Sequence, residues 1–325
     1  MLRFIVRRLL WSIPVLLIAS ILVFTAIRAT TDPVAAAARN PHTTPQALVK
    51  YEHDLGLDKS GPQQYFIWLS HFVRGDLGSS LVTNGPVWPD LRSALANSLV
   101  LGLFATAIAI ALGVAIGVVS AIKQYSIVDH LSSGIAFLGL SMPTFWFALI
   151  LIVLTGTFYE THFHSANPLL PSGGLYSPGH SGFSLADRVK HLILPGIVLA
   201  VQVIAQYSRY MRSNMLEVLS SDYMRTARAK GISELRVIVR HAMRNALIPL
   251  ATFTAIDIGS IAGGLIVTEF VFSYPGMGQY FVSAFQAGDY RGVLPWMMIV
   301  MIFVIGFNLL ADLSYAWLDP RIRID

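Results

Sequence analysis

Few side chains in this 325-residue sequence stand where they could do chemistry. Asp257 is the sole acid read deep in an apolar run, where a carboxylate costs at least about 2.5–3.5 kcal/mol even on a forgiving insertion scale. It must face a wet pathway or a hydrogen-bonding partner between packed helices. Gln202 and Gln206, on another apolar run, pose the same choice at lower cost. His162, His164 and His180 share one segment rich in Pro, Gly and Ser. Neighbouring imidazoles can take a transition metal, but this spacing matches no ligand motif, so no metal ligand is assigned.

Catalytic signatures are missing. The sequence contains no G-x-x-x-x-G-K-[ST] loop to cradle a nucleotide's phosphates, no H-E-x-x-H and no G-x-S-x-G elbow. Intramembrane hydrolysis would need a partner acid for Asp257, and none is identified. With no cysteine, thiolate chemistry and disulfides are excluded. The expectation is a chain without catalytic residues and without a cofactor of its own.

The elements that must position these residues are membrane spans. The chain is 54% apolar and only 13% charged, against roughly 25% charged residues in soluble domains. Its net charge of +5 does not point to nucleic acid, because the basic residues gather beside apolar spans and not along one soluble face. The run from Leu9 to about Ile27, preceded by Arg3, Arg7 and Arg8, is too long for a signal-peptide core and reads as a retained first span. Five more are expected near residues 96–122, 131–158, 191–211, 246–272 and 293–317, the third with Pro143 and the fourth with Pro195. Gly113, Gly117, Gly259, Gly263 and Gly264 lie in these spans, where small residues let helix backbones approach.

Six spans put both termini on one side. Between Arg209 and Arg244 lie eight basic residues against three acids, whereas Ala29 to Leu95 holds five against six. The positive-inside rule therefore places the termini and residues 209–244 in the cytoplasm, and residues 29–95, 159–190 and 273–292 outside. Residues 29–95 are too many for a simple connection and are expected to fold on the outer surface. In that segment Tyr65, Trp68, Leu69 and Phe72 recur at helical spacing. They suit an amphipathic helix on the interface or span tops, or a surface that meets substrate.

Residues 221–249, SDYMRTARAKGISELRVIVRHAMRNALIP, form a basic stretch unlike the rest of the chain. Asp222 to Lys230 reads as a short helix, Gly231 as a turn, and Ser233 as the cap of a second helix reaching about Asn245. Tyr223, Thr226, Ala227 and Lys230 are expected to share one face, with Arg225 and Arg228 pointing elsewhere. A helix with small residues in its middle suits docking into a groove; a solvated loop obeying the positive-inside rule is the plainer alternative.

This stretch resembles the EAA loop of ABC-importer permeases, with Gly231 at the family's glycine and Ala227 at its second alanine. Arg225 and Thr226 stand where the general form has Glu and Ala. YMRTARAKG followed by RHAMRNALIP is similar to the form of the dipeptide, oligopeptide and nickel permeases. RRLLWSIPVLL (7–17), LGLDKSGPQQY (55–65), RGDLGSSL (74–81), VFSYPGMG (271–278) and LDPRIR (318–323) resemble their B-type subunit.

The resemblance implies an all-α integral membrane protein of the type I importer permease fold, with six transmembrane helices and an extracytoplasmic segment between the first two. Residues 1–28 would hold the cytoplasmic end and first span, 29–95 the outer segment, and 96–325 the core with its coupling loop at 212–245. It further implies a homologous C-type permease subunit, ATPase subunits that use ATP and Mg, an external solute-binding protein, and a peptide as the commoner cargo with nickel the rarer. On that reading Tyr223, Thr226, Ala227, Arg228, Lys230 and Gly231 couple to the ATPases, and Asp257, Gln202 and Gln206 are the pathway candidates. A secondary transporter would show paired intramembrane charges and more spans, a channel a filter-like glycine repeat, and a membrane enzyme a catalytic constellation.

Overall fold

Long apolar stretches bounded by Gly, Pro and capping residues resolve into helices. The computed structural model describes residues 2–30, 56–80, 85–165, 167–179 and 182–318, with positions 46, 49, 52, 53 and 83. The helices are α1 (Leu2–Thr30), α2 (Gly61–Val73), α3 (Val87–Ile122), α4 (Ile127–Ser141), α5 (Thr144–Val153), α6 (Tyr159–Phe163) and α7 (Leu185–Leu219). They continue as α8 (Asp222–Ala229), α9 (Glu234–Arg236), α10 (Met243–Ile261), α11 (Ile266–Val271), α12 (Met277–Gln286) and α13 (Tyr290–Leu318). Wider π-type turns, Leu154–Phe158 and Val237–Ala242, join α5 to α6 and α9 to α10.

The centre is the pairing of α3 with α7. A Cβ at Gly113 would lie 2.8 Å from Tyr207 Cβ, and one at Gly117 2.7 Å from the Ser208 carbonyl oxygen. The glycines therefore let two backbones touch, the device that drives helix association where lipid removes the hydrophobic incentive. α4 packs on α7, α10 on α13, and α1 on α13, where Arg8 Nη2 reaches Asp312 Oδ2 at 2.9 Å.

Five helical stretches are long and apolar enough to cross a membrane: Phe4–Thr30, Val87–Ile122, Thr144–Phe163, Leu185–Leu219 and Arg291–Leu313. This corrects the expected pattern in two places. The third span, expected as one helix over 131–158, is broken at Met142–Pro143. Proline lacks an N–H and drives the residue before it out of the helical region, and Met142 accordingly sits at ψ 123°. The fifth span, expected over 246–272, ends at Ile261; Gly264 turns the chain at φ +83°, and α11 starts anew. α10, with 19 residues, is about 28 Å long, close to the thickness of a bilayer core; Arg244, Asn245 and Asp257 make it more polar than the five. α3 also begins at Val87 and α7 at Leu185, so both reach well beyond the expected spans.

Three apolar clusters hold these elements. One gathers Tyr207, Met211, Met215, Met224, Ala227, Val237 and Ala246 at the end that carries α8. At the end that carries α2, a second joins Val87, Leu91, Met277 and Trp296, and a third joins Leu101, Leu194, Val198, Phe272 and Tyr274. The aromatic pattern of residues 63–73 does form a helix that packs on a span top: Tyr65 Oη lies 2.8 Å from Ser20 Oγ, and Phe24 meets Tyr65 edge-on at 5.5 Å.

Candidate functional site

α8 is seated on its own subunit. Met224 and Ala227, three residues apart on one face, are buried, Ala227 to 8% exposure, against the π-type turn and the ends of α7 and α10. Tyr223, Thr226, Arg228 and Lys230 are exposed. The single presented face expected for Tyr223, Thr226, Ala227 and Lys230 is thus corrected: Ala227 turns inward, because the i, i+3 apolar pair fixes the helix's rotation. Tyr223 is further held by Asn245, whose Nδ2 donates to Tyr223 Oη at 2.8 Å.

Gly231 ends α8 as the sequence reading expects. Its φ is +73°, and nothing lies within 4 Å of where a Cβ would be, so conformation alone calls for glycine here. Its N–H donates to the Arg228 carbonyl at 2.9 Å. Arg228 then spans the turn, its Nη2 donating to Glu234 Oε1 at 2.9 Å. That hydrogen bond holds the Glu234 carboxyl below its ordinary value. Arg225 stands apart with Asp222 at 3.7 Å.

The polar positions of α7 and α10 divide. Asp257 is half-buried and accepts from Tyr207 Oη at 2.8 Å, with Tyr207 itself fully buried. Gln202 donates through Nε2 to Thr144 Oγ1 at 2.9 Å and to the Met142 carbonyl at 3.3 Å. It therefore supplies the broken crossing at Pro143 with a donor, which explains its presence without a pathway. Gln206 is exposed, as is Ser260 one turn from Asp257. Polar groups bared at membrane depth are costly against lipid and belong against water or another subunit.

Of the three histidines, His162 stacks on Phe158 with ring centroids 4.0 Å apart, His164 ends α6 in the left-handed region at φ 48°, and His180 lies outside the described residues. Among the described residues no group of three or more His, Asp or Glu is placed to hold a metal.

Three buried acids escaped the sequence reading: Glu269, Asp129, and Asp289, which accepts from Ser80 Oγ at 2.5 Å. Glu269 on α11 is fully buried. Its Oε1 accepts from Ser98 Oγ at 2.5 Å and Leu265 N at 3.3 Å, and its Oε2 from Gly278 N at 2.6 Å and Gln279 N at 3.3 Å. Ser98 Oγ in turn accepts from Met277 N at 2.7 Å. One carboxylate thus satisfies orphan donors at the starts of α11 and α12 and ties both to α3. Gly276 and Gly278 make room, since a Cβ at Gly276 would fall 2.3 Å from Glu269 Oε1. Nearby Arg188 Nη2 donates to Asn97 Oδ1 at 2.8 Å, and Asn97 Nδ2 to the Pro275 carbonyl at 2.9 Å. At the other end Asp129 accepts from Arg212 at 2.7 and 2.8 Å, from Tyr125 N at 2.9 Å and from Ser120. Glu269 was legible only as an acid past the expected middle of a span, and Asp129 only as an acid in the first turn of an apolar helix.

The polar positions form one arrangement along the bundle. What it offers is an outward-facing basic helix rigidly seated at one end, a bared polar strip on α7 and α10, and a braced cap at the other end. The comparisons agree with such a part. The family described as binding-protein-dependent transport system inner membrane component matches residues 113–324, and its N-terminal companion matches residues 1–101. The oligopeptide transport system permease protein AppB of Bacillus subtilis is 40% identical over 99% of this chain and 100% of its own length. The dipeptide transport system permease protein DppB of Escherichia coli K12 is 38% identical over 99% of both chains. A chain of the inward-facing MetNI methionine ABC transporter superposes with a TM-score of 0.53 at 15% identity, covering 70% of this chain and 96% of that one, which shows a shared fold. A multi-pass helical bundle with that fold, matched from end to end by these relatives, belongs to the family of inner-membrane permease components of binding-protein-dependent ABC transport systems.

Proposed function

We propose that this chain forms one half of the pathway of an ATP-driven peptide importer, with a homologous permease subunit as the other half. The observation that carries this is the seating of α8. Met224 and Ala227 seat it on the Val237–Ala242 turn, in one apolar cluster with the ends of α7 and α10, so a push on its exposed face, Tyr223, Thr226, Arg228 and Lys230, moves the span ends with it. ATPase subunits that bind ATP and Mg would dock there from the cytoplasm, where the basic residues of 209–244 and both termini are placed by the positive-inside rule. This chain carries no phosphate-binding loop and turns over no ATP itself. An external solute-binding protein would deliver cargo to the opposite end. The names of the relatives, oligopeptide and dipeptide transport permeases, support peptides as that cargo.

Rigid-body rocking of two such subunits about the pathway would alternate access. Asp257 and Gln206 line it on this reading, with Asp257 aimed by Tyr207. Gln202 serves the broken crossing. The test is reconstitution of the full complex in proteoliposomes: peptide uptake should require ATP, both ATPases and the external binding protein. Uptake of nickel but not of di- to pentapeptides would overturn the cargo, and uptake driven by an ion gradient without ATP would overturn the mechanism.

A further inference from the structure

The end that carries α2 holds a cavity of about 370 Å³, the size class of small-ligand sites. Its floor is apolar: Phe24 and Ile27 of α1, Ile67 and Trp68 of α2, and Leu294 of α13. Its rim is cationic, with Arg28, Lys59 and Arg291 against Asp76. Asp76 is already engaged, its Oδ2 lying 2.8 Å from His71 Nδ1 and its Oδ1 accepting from Gly78 N at 2.9 Å. None of the three cationic side-chain groups makes a hydrogen bond or ion pair with the described residues, and Arg291 acts on Asp76 only through space. Among the described residues the site therefore has unspent positive charge above an oily floor.

The walls are built. Gln64 Nε2 donates to the Leu57 and Lys59 carbonyls at 3.1 and 2.9 Å, fixing the rim turn to α2. The Ser20–Tyr65 hydrogen bond and the Phe24–Trp68 contact at 6.2 Å fix α2 to α1. Gly61 leaves space that the Arg28 guanidinium fills: a Cβ there would fall 1.8 Å from Arg28 Nη1. Arg28 is thus laid against the start of α2 instead of trailing in solvent.

Position selects the ligand. Arg28 lies at the end of the apolar stretch Phe4–Thr30, the level of lipid headgroups, and Trp68 beside it is an interfacial residue type. Just below, Ile21, two turns from Arg28 on the same face of α1, is exposed and leads from the cavity toward the hydrocarbon.

We propose that this cavity binds the phosphodiester headgroup of an anionic phospholipid, held by Arg28, Lys59 and Arg291, with an acyl chain lying along α1. Lipid occupancy would brace α1 and α2 against α13 while the rest of the bundle rocks. The leaflet concerned is the outer one if the orientation proposed above holds; the binding itself does not depend on it.

The test uses the full complex in nanodiscs of phosphatidylcholine with a minor share of phosphatidylglycerol, followed by detergent washing and mass spectrometry of the retained lipid. Wild type should retain phosphatidylglycerol over phosphatidylcholine. The Arg28→Gln/Arg291→Gln pair should lose that preference by on the order of tenfold, and Arg28→Lys/Arg291→Lys should keep most of it. Equal retention of the two lipids by wild type, or an unchanged preference in the glutamine pair, would sink the proposal. Displacement by millimolar inorganic phosphate or glycerophosphoglycerol would show a soluble-anion site and overturn the lipid assignment. Should the glutamine pair not assemble, Lys59→Gln on the rim turn gives the same reading with about a threefold loss expected. A Lys59→Cys reporter, single because the chain has no cysteine, should be shielded from a soluble maleimide only when phosphatidylglycerol is present. Shielding by the external binding protein whatever the lipid would assign the cavity to that protein.

Discussion

Arg228 grips Glu234 across the Gly231 turn, Nη2 to Oε1 at 2.9 Å and Nε to Oε2 at 3.2 Å. Both side chains are exposed, so the pair orients the turn more than it stabilises the fold. Glu234 has a lowered pKa because Arg228 donates to it. Stability from a lowered carboxylate is present above its unfolded value and lost as pH falls through the folded one. Hydrogen-exchange protection of residues 229–233 should therefore hold from neutrality down to about pH 4.5 and decline below. Glu234→Gln should show the loosened turn at neutral pH; equal protection in the two proteins at pH 7 would deny the pair its orienting role.

At Gly231, replacement by Val places a β-branched residue in a left-handed conformation that costs roughly 1–2 kcal/mol, whereas Asn tolerates it. Uptake should fall sharply for Gly231→Val and survive largely in Gly231→Asn, with membrane insertion intact in both. Since no atom crowds the site, equal damage by the two substitutions would mean that space and not conformation is at stake.

Ala227 and Tyr223 should separate seating from docking. Ala227→Trp overpacks an inward position, an error worth about 1–3 kcal/mol, and should lower the melting temperature of the isolated subunit as well as uptake. Tyr223→Ala changes an exposed position and should leave melting nearly unchanged while reducing co-purification of the ATPases. A melting loss confined to the Tyr223 variant would reverse the assignment of the two faces.

Asp257→Asn keeps an acceptor for Tyr207 Oη and removes the charge. Assembly should therefore be preserved while peptide uptake drops several-fold. Tyr207→Phe leaves the carboxylate unaimed and should give a smaller uptake defect with some loss of stability, as Tyr207 is fully buried. Wild-type uptake together with a lower melting temperature in Asp257→Asn would make the acid a packing element only.

Glu269→Gln presents an amide donor to a site whose other groups are all donors. Leaving a buried hydrogen-bonding group unmatched costs about 1–3 kcal/mol, so the purified subunit should melt several degrees lower. Gly278→Ala should do likewise, because its Cβ would lie 2.5 Å from Ile266 Cα. Unchanged melting in both would show that the α11–α12 cap bears no strain.

Most of the spans were legible because apolar length is written locally. Gly231 was legible too, since a glycine between two helix patterns has a narrow range of uses. The rotation of α8 was not: Met224 and Ala227 point inward only because Val237 and Ala242, on a turn that folds back, wait for them. Pro143 could be seen but its effect could not, as prolines 195, 249 and 295 sit inside unbroken helices. What accommodates the break at Pro143 is Gln202, sixty positions away, which donates to the Met142 carbonyl. Glu269 hid for the same reason: its four donors come from positions 98, 265, 278 and 279, and no local pattern announces a site assembled over such distances.

That separation also sets a clock. Ser98 precedes Glu269 by 171 residues, which at cellular synthesis rates of about 5–20 residues per second is roughly ten to thirty seconds. Through that interval Asn97 and Ser98 of α3 still lack the α11–α12 segment. A chain stopped before that segment therefore leaves the side chains of Asn97 and Ser98 in its second crossing without the partners that the finished cap supplies.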